Sequence, residues 1–354
     1  MLKKIEIFLR GIFLKLLLLL FRKPARNIIK VFNSESRILF IRLNKIGDAL
    51  VSTPLLDAVK KYIGCRIYVL ADKKNHFIFQ NNPSVDEIKI FNKGISGVFE
   101  VRKFIKEKNI DTMVDLHDDV STTVSFIIAL SSVQNRLGLK KSNHKIYSDN
   151  VERLDSASHH IIDRMLELLK LFKMQVNQSE VTVNYFPNGE SIQKAQQWFS
   201  NLNPENKFLL GINISAGSAA RFWGVDRYKQ LIASISDYNL VCVVFSTIED
   251  YYLAKQIVEE KYIYPPSKAF TDIAAAILEL NMLFTPDTSV IHIASINKIP
   301  VFGIYVKYNT RDMIWSPYNT KFDCVITEEP TLKNVTFEEV KKKFIPFLEQ
   351  TLNG

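Results

Sequence analysis

From residue 35 onward the chain alternates short β-branched and aliphatic runs with longer stretches whose apolar residues recur every three or four positions. That alternation is the signature of parallel sheets covered by helices. In the first half it predicts strands over 38–42, 66–70, 87–91 and 112–116, with helices near 49–62, 97–108 and 121–131. The helical stretch HHIIDRMLELLKLFK then leads into NQSEVTVNYFPNGES, where the pattern fades, so a domain boundary is set between residues 185 and 186. The second half starts afresh with a strand at 208–212, a Gly/Ser turn and a helix over 226–236. A strand at 240–245 follows, then helices over 249–260 and 271–280, and NMLFTPDTSVIHIASINKIPVFGIYV reads as strand, helix, strand. The fold class is therefore α/β, with two α/β domains in series at residues 35–185 and 186–330 and a closing helix, FEEVKKKFIPFLEQTL, within 331–354.

The segment before this pattern is different. KKIEIFLRGIFLKLLLLLFRK is too interrupted by Glu6, Arg10 and Lys15 for a span of about 20 apolar residues, and no small-residue cleavage site follows it. On a helix, Ile5, Phe8, Leu9, Ile12, Leu16, Leu19 and Leu20 form one stripe, with Lys4, Lys15 and Arg22 on another face. Residues 1–34 thus suit a basic amphipathic helix lying on inner-membrane surface lipids; the stripe would equally pack on the protein's own body, or serve as an uncleaved signal anchor. Charge supports the distinction, because residues 1–45 hold eleven Lys and Arg against Glu6 and Glu35 and so carry the whole net charge of +9. The globular remainder is neutral, without the basic stripe and interleaved aromatics that nucleic acid would require. Cys65, Cys242 and Cys324 are odd in number, far apart and set in apolar runs, which reads as buried free thiols in a reducing compartment.

In open parallel sheets, ligands bind beyond the carboxyl ends of the strands, where helix amino termini present N–H groups and a positive dipole end. Three predicted strand-to-helix turns carry suitable residues. In TPDTSVIH, Asp287 or Thr288 can cap a helix whose next turn carries His292, four residues after Thr288 and three after Ser289. A diphosphate there would receive backbone N–H groups, hydroxyls and an imidazole; an ordinary cap followed by a half-buried histidine fits the same residues. In GINISAGSAARFW, the small residues Ser215, Gly217 and Ser218 let backbone approach a phosphate and Arg221 can neutralise it. A plain surface turn is the alternative there. In IRLNKIGDAL, Gly47-Asp48 lies between strand and helix, where the dipole favours an ionised carboxylate. Such a group is a competent general base and equally an ordinary cap. Arg42, Asn44 and Lys45 line that turn and are placed to hold an anionic partner.

DLHDD concentrates Asp115, His117, Asp118 and Asp119, but neighbours at a strand end diverge and no i, i+4 pair supports them, so a polar loop is favoured over a metal site. His159-His160 opens a helix and reads as structural, whereas Glu249, just after VCVVFS, is placed to reach a ribose or cap the next helix.

Taken in order, ILFIRLNKIGDALVSTPLLDAV, NIDTMVDLHDD, GINISAGSAARFW and FTPDTSVIHIASINKIPVFGIY resemble glycosyltransferase family 9, the heptosyltransferases of lipopolysaccharide core synthesis, over about residues 37–325. The resemblance implies a GT-B fold, two Rossmann-like domains facing each other across a cleft, with no metal and no cofactor. The co-substrate would be a nucleoside-diphosphate sugar such as ADP-heptose, held by the second domain. The acceptor, a glycolipid or oligosaccharide, would be held by the first. Carried over by position, Asp48 is the expected base. Asp287, Thr288, Ser289 and His292, with Ser215, Gly217, Ser218 and Arg221, are the expected diphosphate site, and Glu249 a ribose contact. Arg42, Asn44, Lys45, Gly47 and His117 are expected on the acceptor side. The implied reaction is inverting sugar transfer at the cytoplasmic face of the inner membrane. A non-catalytic nucleotide-sugar or glycan-binding protein of the same fold is the alternative. A nicotinamide oxidoreductase is disfavoured because no glycine fingerprint follows the first strand.

Overall fold

The computed structural model describes residues 31–353, so the amphipathic helix expected in the first 30 residues lies outside the described part. The chain divides into two compact units, Met1–Val181 and Thr182–Gly354.

The first unit is built on a six-stranded, wholly parallel sheet of β1 (Arg37–Arg42), β2 (Arg66–Ala71), β3 (Glu87–Ile90), β4 (Thr112–Asp115), β5 (Asn135–Leu139) and β6 (Asp149–Val151), in the order β3-β2-β1-β4-β5-β6. This is a doubly wound order whose direction of winding reverses between β1 and β4. Those two strands are buried along almost their whole length, which is why ILFI reads as an unbroken apolar run. The helices are α1 (Ile46–Leu50), α2 (Thr53–Ile63), α3 (Ile95–Glu107), α4 (Thr122–Leu130) and α5 (Ile161–Leu166).

One long helix over 49–62 is not what forms. The hydroxyls of Ser52 and Thr53 donate to the Ala49 and Leu50 carbonyls (2.7 and 2.8 Å), and Pro54, in the first turn of α2, has no N–H to continue the ladder. The chain therefore breaks, and Gly47 and Asp48 fall inside the short α1 rather than ahead of a helix.

The second unit carries β7 (Phe208–Asn213), β8 (Leu240–Phe245), β9 (Met282–Pro286), β10 (Val301–Val306) and β11 (Phe322–Thr327), all parallel, in the order β11-β10-β9-β7-β8. Counted from its own first strand this is the other common doubly wound order, with its reversal between β7 and β9. Its helices are α6 (Gly189–Leu202), α7 (Val225–Ala233), α8 (Tyr251–Ile257), α9 (Phe270–Ile277), α10 (Val290–Ala294) and α11 (Phe337–Leu352).

α11 closes this sheet. Phe344 meets the stacked rings of Phe284 and Phe302 edge-on at 5.4 and 5.3 Å, and the buried Trp223 indole donates to the Val335 carbonyl (2.8 Å) just before the helix begins. The three thiols are free; Cys65 is buried, Cys242 and Cys324 half-buried, and burial pushes Cys65 up to about 11 and Cys242 up to about 12.

Candidate functional site

Both sheets bring polar side chains to the point where their winding reverses, at the carboxyl ends of the strands. In the first unit the residues come from the ends of β1 and β4. Arg42 is fully buried; its Nε donates to the Asp48 carbonyl (2.7 Å), another nitrogen donates to the Leu116 carbonyl, and its third faces the Asp48 carboxylate at 3.3 Å. Asn44 adds a bond to the same Asp48 oxygen (3.2 Å), and the carboxylate keeps 17 % of its side-chain surface exposed. The buried Asn75 amide donates to the Arg42 and Asn44 carbonyls (3.0 and 2.8 Å), clamping the loop from the side of β2. Asp48 is thus a carboxylate in the short α1, held by the buried Arg42 cation and by Asn44 and still partly exposed. That arrangement suits a base which must meet one hydroxyl in one orientation.

Beneath this loop lies a buried cluster at the end of β4. Asp115 accepts from the His117 backbone N–H and ring (2.9 and 2.8 Å) with one oxygen, and from Lys141 Nζ and the Tyr147 hydroxyl (2.9 and 2.5 Å) with the other. Burial alone would raise its pKa, but the Lys141 ammonium and these hydrogen bonds outweigh that and hold the carboxyl well below the usual range. The Leu43 N–H donates to His117 Nε2 (3.2 Å), so Nδ1 carries the hydrogen given to Asp115. Burial, more than the neighbouring Asp115 opposes, lowers the His117 pKa and keeps the ring neutral.

This placement corrects two expectations. His117 is not an acceptor contact, because both ring nitrogens are engaged and the ring is buried. Arg42 is likewise buried, with its guanidinium turned onto Asp48 and Leu116. Both are held inside the unit, Arg42 against Asp48 and His117 between Leu43 and Asp115. Lys45 and Asn44 remain exposed at its rim, and Gly47 accepts the Val51 N–H inside α1 (3.0 Å). Nor is DLHDD a polar loop: Asp115 is interior, Asp118 pairs with Arg153 and Arg164 (2.7 and 2.5 Å), and only Asp119 stands in solvent. Among the described residues no group of three acidic, His or Cys side chains could hold a metal ion.

In the second unit the polar residues come from the ends of β7 and β9. The Asn213 amide reaches across the reversal to Thr285 Oγ1 (2.9 Å) and Thr288 Oγ1 (3.4 Å). Arg221 donates to the Asp287 carbonyl (3.0 Å) and pairs with its carboxylate (3.1 Å), so the two expected phosphate loops are joined directly. Gly217 takes φ +65°, a left-handed turn that leaves the small-residue loop exposed along with Ser218. Ser289, rather than Asp287 or Thr288, occupies the cap position of α10, and its side chain makes no cap bond. His292 is buried in that helix, its ring 6.2 Å from that of Trp315.

Ser215 departs from its expected part: its hydroxyl donates to Asp250 (2.6 Å) and accepts the Thr247 N–H (2.9 Å), which ties β7 to the loop after β8. Glu249 stays exposed in that loop. Asn213, Asp250, Asn75, Lys141 and Tyr147 were not legible as site residues. A lone Asn ending an apolar strand was the one available signal, in FLLGIN.

A family model for glycosyltransferase family 9 (heptosyltransferase) matches residues 98–345. The chain belongs to glycosyltransferase family 9. It is a glycosyltransferase with the GT-B type of fold. A family 9 glycosyl transferase structure from Veillonella parvula covers 91% of this chain and 99% of its own, with TM-score 0.76 at 21% identity. The ADP-heptose lipopolysaccharide heptosyltransferase II of E. coli covers 89% and 99%, with TM-score 0.69 at 18% identity. The E. coli heptosyltransferase WaaC, solved with ADP-2-deoxy-2-fluoro heptose, covers 88% and 99%, with TM-score 0.66 at 16% identity. At these identities the likeness is one of fold. Curated proteins yielded no match.

Proposed function

We propose that this family 9 enzyme moves a heptose or similar sugar from a nucleoside-diphosphate donor to a lipopolysaccharide-core or related glycan acceptor, with inversion and without a metal ion or cofactor. The observation that carries the reading is Asp48, fixed by the buried Arg42 and by Asn44 with its carboxylate still open to solvent. A carboxylate so held takes the proton of an acceptor hydroxyl as its oxygen forms the new bond to the anomeric carbon. The bond from that carbon to the diphosphate breaks on the opposite face, and the nucleoside diphosphate departs with the electron pair. Backbone N–H groups of the Ser215–Ser218 and Asp287–Ser289 loops, with Arg221, are assigned to that departing charge; Lys45 and Asn44 are assigned to the acceptor. Among structures sharing the fold, WaaC was solved with an ADP-heptose analogue, which favours an ADP-sugar as the first donor to try. A glycolipid acceptor would be met at the cytoplasmic face of the inner membrane, with the basic apolar segment KKIEIFLRGIFLKLLLLLFRK as a surface anchor.

Asp48→Asn tests the reading. It should lower transfer by about a hundred- to ten-thousand-fold and leave unchanged the rise in melting temperature caused by nucleoside diphosphates and their sugars. Undiminished transfer would remove Asp48 as base; ligand stabilisation with no transfer even in the wild type would leave a binding protein.

A further inference from the structure

The solvent face of α3 carries an apolar pair where a soluble helix would carry polar residues. Ile95 is 78 % and Phe99 63 % exposed, while Gly97, Val101, Phe104 and Ile105 on the opposite side are buried. Continuing along the same stripe at helical spacing come Arg102, Lys103 and Lys106, all exposed. The twelve residues from Ile95 to Lys106 give a strip about 18 Å long. Its acidic neighbours are already engaged: Glu100 holds Lys89 and Asn92 (3.2 and 2.9 Å), and Glu107 pairs with Lys103 at 3.6 Å. The cations are a local feature, since residues beyond 45 are neutral in sum.

We infer that this face of α3 docks on an anionic lipid surface, with Ile95 and Phe99 entering the headgroup boundary and the three cations lying over the phosphates. Shape and charge favour lipid over the other occupants. The stripe lies on one face of a single helix, and it places apolar insertion beside positive charge as interfacial helices do. α3 also begins where β3 ends, on the carboxyl edge of the sheet that carries Asp48, two strand positions or about 10 Å of sheet away. Docking there would present the base loop to molecules embedded in the same surface. The docking itself does not rest on the transfer reading and can fail independently of it.

The test uses the full chain with vesicles of phosphatidylglycerol and phosphatidylethanolamine, and with neutral phosphatidylcholine vesicles as control. Ile95→Asn with Phe99→Asn, and separately Arg102→Gln with Lys103→Gln and Lys106→Gln, should each weaken partitioning onto the anionic vesicles by at least about five-fold without shifting the melting temperature. Amide exchange over residues 95–106 should slow when anionic vesicles are added to the wild type. Exchange there that ignores the vesicles, or variants that bind as the wild type does, would overturn the inference and leave any lipid contact elsewhere in the chain. Concentration-dependent self-association abolished by the Ile95 and Phe99 changes, with lipid binding intact, would make the stripe a protein interface and overturn it too.

Discussion

At the scale of single residues, the turn that carries Asp48 is held by buried side chains. His117 links the Leu43 N–H to Asp115, and Arg42 links Asp48 to the Leu116 carbonyl, so the ends of β1 and β4 are tied together by side chains. This coupling has a sign that acid will reveal. The His117 pKa is lowered from 6.5 in the folded state, so below about pH 6.5 the unfolded chain takes up a proton that the folded chain refuses. The stability it contributes is fully present above that pH and lost as pH falls. Stability should therefore fall as the pH drops from 6.5 towards 5. Asp115, also lowered, adds a second loss that begins only as pH falls through its unfolded value of 3.8. Urea unfolding of the wild type and of His117→Gln at pH 7, 6 and 5 separates the terms, because the variant should lose stability less steeply across this range. Parallel slopes would mean that another group senses the acid.

At the scale of elements, what the hydrophobic pattern reveals depends on whether burial is continuous. The interior strands β1, β2, β4 and β7 were readable to within a residue, as were the edge strands β3 and β8, and β9 and β10 were readable as the two strands flanking a helix. β5 was not, because NRLGL interrupts the run with Arg136 and Gly138; nor were β6, only three residues long and polar at Asp149 and Asn150, and β11, whose run is broken by Asp323. α6 was hidden by the polar stretch it begins in, GESIQ, although Asn188 caps it through the Ser191 N–H (2.8 Å). The same limit applied to the site. Asp48, Arg221 and Asp287 were readable as polar residues near strand ends; Asp48 draws its partners Arg42 and Asn44 from within six positions, but the pairing of Arg221 with Asp287 depended on a contact 66 positions away. Gly138 shows what such a contact demands: a Cβ there would lie 2.7 Å from the Tyr147 ring, whose hydroxyl serves Asp115. Gly138→Ala should therefore cost about 1–3 kcal/mol in urea unfolding and weaken transfer as well by displacing the cluster under the base loop. A neutral outcome on both counts would show that β5 can shift to admit the methyl group.

At the scale of the whole molecule, each of the two sheets closes a core of its own. The residues of one core, such as Leu39, Ile41 and Met113, all precede Val181, and those of the other, such as Trp223, Phe284 and Phe344, all follow it. If the second unit alone holds the nucleotide, its binding must be readable without any participation by Asp48. The sequence supplies a natural reporter, since all three tryptophans, Trp198, Trp223 and Trp315, lie in the second unit. Trp223 is wholly buried, whereas Trp315 is half-buried in the loop after β10 with its ring near His292. A nucleoside diphosphate settling on the Asp287–Ser289 turn should change the emission of Trp315 while leaving that of Trp223 in place. Titration with ADP, UDP and GDP should thus give a saturable fluorescence change in the wild type and the same curve in Asp48→Asn. The change should vanish in Trp315→Phe while melting-point stabilisation by the nucleotide persists. Arg221→Ala, which severs the two loops of the second unit, should shift the midpoint upward by about ten-fold or more, as loss of a charge-assisted contact does. Were Asp48→Asn to alter the midpoint as strongly as Arg221→Ala, nucleotide recognition would have to be shared between the units and the assignment of donor to one and acceptor to the other would fall.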